Sequence, residues 1–305
     1  MISAVIQLGP LVLLAVLYAR RARALAGTRQ SVPRWRQACF YSGCLTICVA
    51  LTALGSGSQE LLYVHMIEHL LMGDIAALLI VLGLTGPVIA PVLRIGFFNR
   101  LRVLSNPAIA FPLWAIDLYV WHLPVFYQAA LRDGGVHALE HVMFIGFGAN
   151  MWMCLFGPLP MPSWFNNTGK LLYILAVRLA GTILANIFVW SGTAFYPFYA
   201  SGDSTSHISG VTDQQIAGGV MMVEESILTL CLFAWLFLTA MREAEERQGL
   251  IELARARGVE LADGRAERAV RAGHGAALRR RIERSDSSGG QDGPASARIA
   301  ERLDV

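Results

Sequence analysis

Long apolar runs, separated by short polar stretches, dominate the first 240 residues of this chain. About 20 apolar residues suffice for a helix to cross a bilayer, and seven stretches of roughly this length can be recognised. The predicted spans cover about residues 2–19, 37–54, 61–87, 107–123, 137–158, 171–190 and 213–240. This pattern predicts an all-α fold, a polytopic membrane bundle of seven transmembrane helices.

The positions of the basic residues orient the predicted bundle. Arg20, Arg21 and Arg23 follow the first apolar run, whereas a cleaved signal peptide would carry its positive charge before that run. Further arginines lie around the second span and in 88–105, and Lys170 precedes the sixth. Basic residues favour the cytoplasmic side, so we predict that the N-terminus lies outside and the C-terminus in the cytoplasm.

Composition supports a membrane protein and divides the chain in two. Mean hydropathy is +0.49, and only 15% of residues are charged, which excludes an ordinary soluble globule. Residues 241–305 hold 13 of the 25 basic and 12 of the 22 acidic side chains, so the net charge of +3 does not indicate a nucleic-acid partner. We therefore predict a transmembrane domain over 1–240 and a charged cytoplasmic tail over 241–305, helical to about 284 and disordered over 285–297.

Two copies of H-x-x-E-H lie within predicted spans. The first comprises His65, Glu68 and His69, and the second comprises His137, Glu140 and His141. Two histidines at i and i+4 lie on one face of a helix, where both imidazoles can reach one metal ion. Ionisable side chains inside a membrane are costly and usually mark function. The repeat therefore favours a metal site over two local hydrogen-bonding arrangements.

The predicted topology brings other polar residues to the same level. The third and fifth spans begin at the outer surface, so at a rise of 1.5 Å per residue both histidine pairs lie within roughly 12 Å of that surface. The fourth span ends there in Trp121-His122-Leu123-Pro124. The seventh begins there at Asp213, which is expected to be its N-cap, with Met221 and Met222 two turns deeper. His207, in the loop before this span, is a further histidine on the outer side.

The chemistry of these side chains indicates a metal but leaves its identity open. Imidazoles suit zinc, copper or iron, and nearby thioethers favour copper(I). The available thioethers include Met66, Met221 and Met222. Glu68 and Glu140 are expected to contact metal-binding imidazoles and orient them, rather than to act as general bases.

A second polar layer is predicted deeper in the membrane. Arg178 lies about 12 Å from the cytoplasmic end of the sixth span at the helical rise. Glu224, Glu225 and Asp74 come to similar depth, and an unpaired charge there would be expensive. We predict that Arg178 forms an ion pair with one of these acids, either as a structural clamp or as part of a proton or ion path.

Four motifs follow one another along the chain, and they are H-M-I-E-H-L-L with L-G-L-T-G-P (65–71, 82–87), W-H-L-P-x-x-Y-x-x-A-L (121–131), H-A-L-E-H (137–141) and D-Q-Q-I-A-G-G-V-M (213–221). In this order they resemble the CtaG family of membrane assembly factors for caa3-type cytochrome c oxidase. The resemblance implies a seven-span plasma-membrane protein that matures a haem–copper oxidase and handles copper at the outer face. It implies oxidase subunits or other copper chaperones as partners, beside membrane lipid. By motif position it marks His65, His69, His122, His137, His141 and Asp213.

Two other functions compete with a non-enzymatic, metal-binding assembly factor. H-x-x-E-H is the inverted zincin signature, in which two histidines hold zinc and the glutamate is the base of a metalloprotease. A protease needs one copy, however, and this chain has two. A haem-binding protein would need one histidine on each side of the ring, which leaves the second histidine of each pair unexplained.

Overall fold

The computed structural model describes residues 2–55, 57–200 and 208–285, and within these ranges the chain forms helices and no strands. Helix accounts for 83% of the structure, which confirms the predicted all-helical class. The N-terminal half contains α1 Ile2–Leu25, α2 Arg34–Val49, α3 Leu62–Leu70, α4 Ala77–Gly83, α5 Gly86–Leu93, α6 Gly96–Leu101, α7 Pro107–Trp121 and α8 Pro124–Arg132. The remainder contains α9 Gly134–Phe156, α10 Asn167–Trp190, α11 Pro197–Ala200, α12 Gly210–Ala256, α13 Asp263–Arg271 and α14 Gly275–Ser285.

Among the described residues, five helical segments are long and apolar enough to cross a membrane, so the chain is a membrane protein. They are Arg34–Leu54, Leu62–Gly83, Gly134–Phe156, Asn167–Trp190 and Gly210–Ala256. A sixth candidate is the pair Gly96–Ser105 and Pro107–Trp121, which is bent by 83°. Asn106 at this bend caps α7, because its side-chain oxygen accepts a hydrogen bond from the Ala108 amide at 3.0 Å.

The segment that carries the first H-x-x-E-H motif is a single helix with a wide turn in its middle. A π-helical turn, Leu71–Ala76, joins α3 to α4 directly after His69. Such turns insert a residue into the helix and often occur at functional sites. The turn contains Asp74, the only acidic residue in this half of the span.

Capping side chains place the starts of two helices three or four residues before the predicted ones. Asp133 accepts hydrogen bonds from the amides of Gly135 and Val136, so α9 begins at Gly134 rather than at His137. Asn166 accepts one from Gly169, so α10 begins at Asn167 rather than at residue 171. The prediction missed both caps because it followed the apolar run, which starts only after the first polar turn.

The predicted N-cap role of Asp213 is wrong. α12 begins at Gly210, and the Ser209 hydroxyl accepts a hydrogen bond from the Thr212 amide at 3.2 Å. Asp213 is therefore already in the first helical turn. The helix also runs on to Ala256, beyond the predicted end at residue 240, because the Ala-, Glu- and Arg-rich sequence there contains no proline and favours helix.

Small residues bring the central helices into close contact. A Cβ atom on Gly148 of α9 would overlap the backbone carbonyl of Gly73 in the π-turn. A Cβ on Gly43 of α2 would lie 2.8 Å from the Ala76 carbonyl oxygen at the end of the same π-turn. Close approach at small residues is the usual way in which membrane helices pack. The Gly73–Gly148 contact fixes the distance between the two helices that carry H-x-x-E-H.

The chain divides into two compact units, 1–230 and 231–305. In the second unit, the end of α12 packs with α13 and α14 around a small hydrophobic core. This core consists of Leu250, Ala254, Val270, Leu278 and Ile282. The predicted helical character of 242–284 agrees with these elements, whereas most of the predicted disordered segment, residues 286–297, lies outside the described residues.

Candidate metal centre

The two H-x-x-E-H motifs face each other across the α3–α9 interface. The ring centroids of His65 and His69 are 4.2 Å apart, as are those of His137 and His141. Between the motifs, His65 lies 5.2 Å from His137 and His69 lies 5.4 Å from His141. The four imidazoles therefore form one cluster.

The glutamate of each motif faces a histidine of the other. Glu140 Oε2 is 3.8 Å from His69 Nε2, and Glu68 Oε1 is 3.9 Å from His141 Nε2. Glu140 Oε2 also lies 4.0 Å from His137 Nε2 on its own helix. The motifs are thus paired reciprocally, with each carboxylate beside the imidazole of its partner motif.

The cluster is buried, and several of its polar atoms lack a hydrogen-bond partner among the described residues. His65 and Glu140 are each 1% exposed. The orphaned atoms include Nε2 of His65, His69, His122 and His137, together with both carboxylate oxygens of Glu140. Buried polar groups are almost always satisfied, so a concentration of free lone pairs at one point indicates that something else satisfies them.

The donor atoms form two overlapping groups of the size that a metal ion requires. In the first, ligand atoms of His65, His69, His137 and Glu140 all lie within 4.8 Å of one another. In the second, the same holds for Glu68, His137 and His141. His137 belongs to both groups, and its side chain is also less buried than those of His69 and His141, at 18% exposed.

Hydrogen bonds at the second ring nitrogen orient two of the imidazoles. His65 Nδ1 lies 3.2 Å from the Tyr199 hydroxyl and 3.4 Å from the Ser58 carbonyl oxygen, and Tyr199 itself donates to that carbonyl at 2.8 Å. Nδ1 is therefore the donor of the His65 ring. In the same way His122 Nδ1 donates to the Leu118 carbonyl at 2.7 Å. In both rings this tautomer leaves the Nε2 lone pair free for a metal.

Tyrosines from the segment after α10 cover the cluster. Tyr196 stacks on Tyr127 at 4.1 Å, and its hydroxyl donates to the His122 carbonyl oxygen at 2.7 Å. Tyr199 is 7% exposed, and burial raises the pKa of its phenol above the usual range, so its hydroxyl stays protonated. Sequence reasoning missed these contacts, because the placement of an irregular loop leaves no periodic pattern.

Asp213 holds the start of α3 in place instead of capping its own helix. Its two carboxylate oxygens accept hydrogen bonds from the amides of Leu62 and Tyr63, at 2.7 and 3.0 Å. These amides would otherwise be orphaned at the helix N-terminus. Asp213 thus fixes the first turn of α3, directly before His65, and its role is structural.

Below the cluster lies a small void of about 40 Å³. His69, His122, Met66 and Met221 line it, together with Asp74 and several apolar side chains. Met222, the third of the thioethers considered as ligands, does not line this void and packs with the apolar cluster around Tyr127 and Phe188. His207 lies outside the described residues.

The deeper polar layer is present, and the predicted ion pair of Arg178 forms with Asp74. Arg178 Nη2 lies 3.6 Å from Asp74 Oδ1, and the guanidinium lies over the Trp152 ring at 5.6 Å. Glu225 accepts a hydrogen bond from Thr182 at 2.7 Å instead of pairing with Arg178. Gly181 makes room for this carboxylate, because a Cβ there would overlap Glu225.

Comparison with known families gives a match over most of the membrane region. A family described as "Cytochrome c oxidase caa3 assembly factor (Caa3_CtaG)" matches residues 15–243. No curated protein and no solved structure matches. The matched range contains both H-x-x-E-H motifs, His122, Arg178 and Asp213.

Proposed function

The chain belongs to the caa3 cytochrome c oxidase assembly factors, and from this we propose that it binds copper in its histidine cluster and supplies it to the maturing oxidase. Copper is then the cargo of the protein. The observation that carries the proposal is the pairing of two H-x-x-E-H motifs around buried, orphaned nitrogens. His65, His69, His137 and His141 would hold the ion, with His122 nearby.

The donor set fits copper in either of its common oxidation states. Imidazole nitrogens bind copper well, and thioethers favour copper(I). Met66 and Met221 line the same void as His69, below the cluster. Zinc would use the same imidazoles, but the adjacent thioethers and the oxidase context favour copper.

The geometry of the glutamates fits a binding protein better than an intramembrane protease. In an H-x-x-E-H protease the glutamate activates water beside the metal held by its own motif. Here each glutamate lies closest to a histidine of the partner motif, Glu68 to His141 and Glu140 to His69. We propose that each carboxylate orients this imidazole and that the protein has a non-enzymatic role.

Haem binding is also less well supported. A void of about 40 Å³ beside His69 and His122 holds one or two water-sized groups. A tetrapyrrole inserted between the motifs would have to separate α3 from α9, because the span that contains α3 contacts α9 at Gly73 and Gly148.

The function requires the cluster to face outward. We propose seven spans in the plasma membrane, with α1 as the first and the bent segment ending at Trp121 as the fourth. The N-terminus is outside, and residues 55–60, 124–136 and 191–212 face outward. In this topology His137, the least buried histidine of the two donor groups, lies in the first turn of α9 at the outer side. Oxidase subunits or other copper chaperones would meet the protein there.

Complementation tests the proposed function. In cells lacking this gene, the wild-type chain should restore oxidase activity and the copper content of the oxidase, while a His69→Ala/His141→Ala variant should restore neither. Equal expression of both chains, checked in membranes, is the control. Normal oxidase in cells that lack the protein would contradict the proposal.

A further inference from the structure

The void below the histidine cluster is lined by possible metal ligands that do not belong to the two donor groups of the cluster. Met66 and Met221 are 1% and 4% exposed and come from different helices, α3 and α12. His122, 8% exposed, lines the same void, and its Nε2 has no hydrogen-bond partner among the described residues. Two thioethers and one imidazole with a free lone pair therefore meet around one small space.

His69 connects this space to the histidine cluster. It belongs to the donor group of His65, His137 and Glu140, and it also lines the void. Unlike His65 and His122, whose Nδ1 atoms have partners, both His69 nitrogens lack a hydrogen-bond partner within the described part of the chain. Because the two nitrogens of an imidazole point in different directions, this ring can offer one nitrogen to the cluster and the other to the void.

The void has a size that suits a single cation. Its volume of about 40 Å³ exceeds the roughly 10–15 Å³ that a water-sized group needs. Asp74 also lines the void, and its carboxylate lies 3.6 Å from the Arg178 guanidinium, so the void contains no unpaired charge from this residue.

We infer that the void is a second metal position, specific for a soft monovalent cation such as copper(I), with Met66, Met221 and His122 as ligands. Thioether and imidazole donors select copper(I) over zinc and other harder ions. The inference rests on the proposed function in one respect, because an ion would reach the void from the histidine cluster through His69.

A binding experiment with two different metal ions, Zn²⁺ and Ag⁺, distinguishes the histidine cluster from the position in the void. The full chain, purified in detergent with its five cysteines replaced by alanine, is first saturated with Zn²⁺ to occupy the histidine cluster. Ag⁺, a redox-inert soft cation, is then titrated, and both metals are counted by mass spectrometry. We expect the Met66→Leu/Met221→Leu variant to bind one Ag⁺ fewer per chain than its parent, with Zn²⁺ unchanged. Leucine preserves the side-chain volume.

A matched control uses methionines that do not line the void. Met151→Leu/Met222→Leu replaces one fully buried methionine and the neighbour of Met221, and should bind as much Ag⁺ as the parent. If the first double variant does not fold, the single variants Met66→Leu and Met221→Leu are measured instead. Each should lower the affinity for Ag⁺ at the second position at least about tenfold, since even residues that only support a ligand contribute this much.

The outcomes separate this inference from the proposed function. Equal Ag⁺ binding by parent and Met66→Leu/Met221→Leu, with Zn²⁺ bound, would overturn the second position and leave the histidine cluster intact. A void that holds only water gives this result. Loss of Ag⁺ in the control pair as well would also overturn it. Failure of the parent to bind Zn²⁺ would instead contradict the metal site of the proposed function.

Discussion

Glu140 Oε2 on α9 lies 3.8 Å from His69 Nε2 on α3, and the converse pair, Glu68 and His141, is separated by 3.9 Å. The glutamate of each motif thus lies beside a histidine of the other motif. Removing the charge of a carboxylate that orients a metal-binding imidazole typically lowers affinity about 10–100-fold. In this reciprocal arrangement, the motif on α3 and the motif on α9 each have a carboxylate of the other beside one of their imidazoles.

We predict that Glu140→Gln or Glu68→Gln weakens metal binding by about 10–100-fold without abolishing it. The amide preserves the shape of the side chain but loses the charge that holds the imidazole. Competition with a chelator of known affinity measures the change, and Glu60→Gln, at an exposed position before α3, is the control. Unchanged affinity in both buried variants would exclude the orienting role, and full occupancy with lost catalysis would indicate a protease.

Gly148→Ala should weaken metal binding and lower the thermal stability of the protein. The added Cβ overlaps the Gly73 carbonyl and pushes α9 away from α3, which separates the two motifs. Gly146→Ala on the same helix is the matched control, because a Cβ there meets nothing within 4 Å. That change should leave metal affinity unaffected and, if anything, stabilise the helix by up to about 1 kcal/mol. Equal effects of the two substitutions would show that the helix contact does not set the site.

Tyr199→Phe should lower metal affinity by about tenfold, since it removes the hydroxyl that lies 3.2 Å from His65 Nδ1. The ring remains, so the cover over the cluster is kept. Tyr41→Phe, at an exposed position on α2, is the control. Binding measured for both variants by the same competition assay should differ, and identical affinities would make Tyr199 a packing residue only.

The proposed topology predicts opposite sides for two exposed positions. In a variant without native cysteines, Arg132→Cys, at the outward-facing end of α8, should react with a membrane-impermeant thiol reagent on intact cells. Glu245→Cys, in the C-terminal part of α12, should react only after the cells are opened. Labelling of both positions in intact cells would invalidate the topology and the outward orientation of the cluster.

The periodic parts of the fold could be predicted from the sequence, and the irregular parts could not. The i, i+4 spacing in H-x-x-E-H is sufficient to predict that His65 lies beside His69 and His137 beside His141, because an α-helix has one geometry. The depth argument likewise predicted that Arg178 pairs with Glu224, Glu225 or Asp74, and Asp74 is the partner. By contrast, Asp213 bonds to α3 rather than to its own helix, a contact between residues 150 positions apart that no local pattern encodes.

The same limit applies to what surrounds the site. Tyr199 and Ser58 orient His65 from two loops whose paths depend on the whole bundle. The contact of Gly148 with Gly73 depends on which faces of two helices meet, and a single glycine in an apolar run does not reveal this. The high charge of the C-terminal unit concealed its small core from sequence analysis, since the five residues of the hydrophobic cluster are spread over 33 positions.

The measurement that tests the central claim most directly is the copper content of the purified protein, compared with that of four variants. The wild type should retain copper after dialysis against a weak chelator, and His65→Ala, His69→Ala, His137→Ala and His141→Ala should each lose most of it. His274→Ala, in the C-terminal unit, should retain it. Full copper occupancy in all four cluster variants would contradict the account and leave the histidines as structural residues.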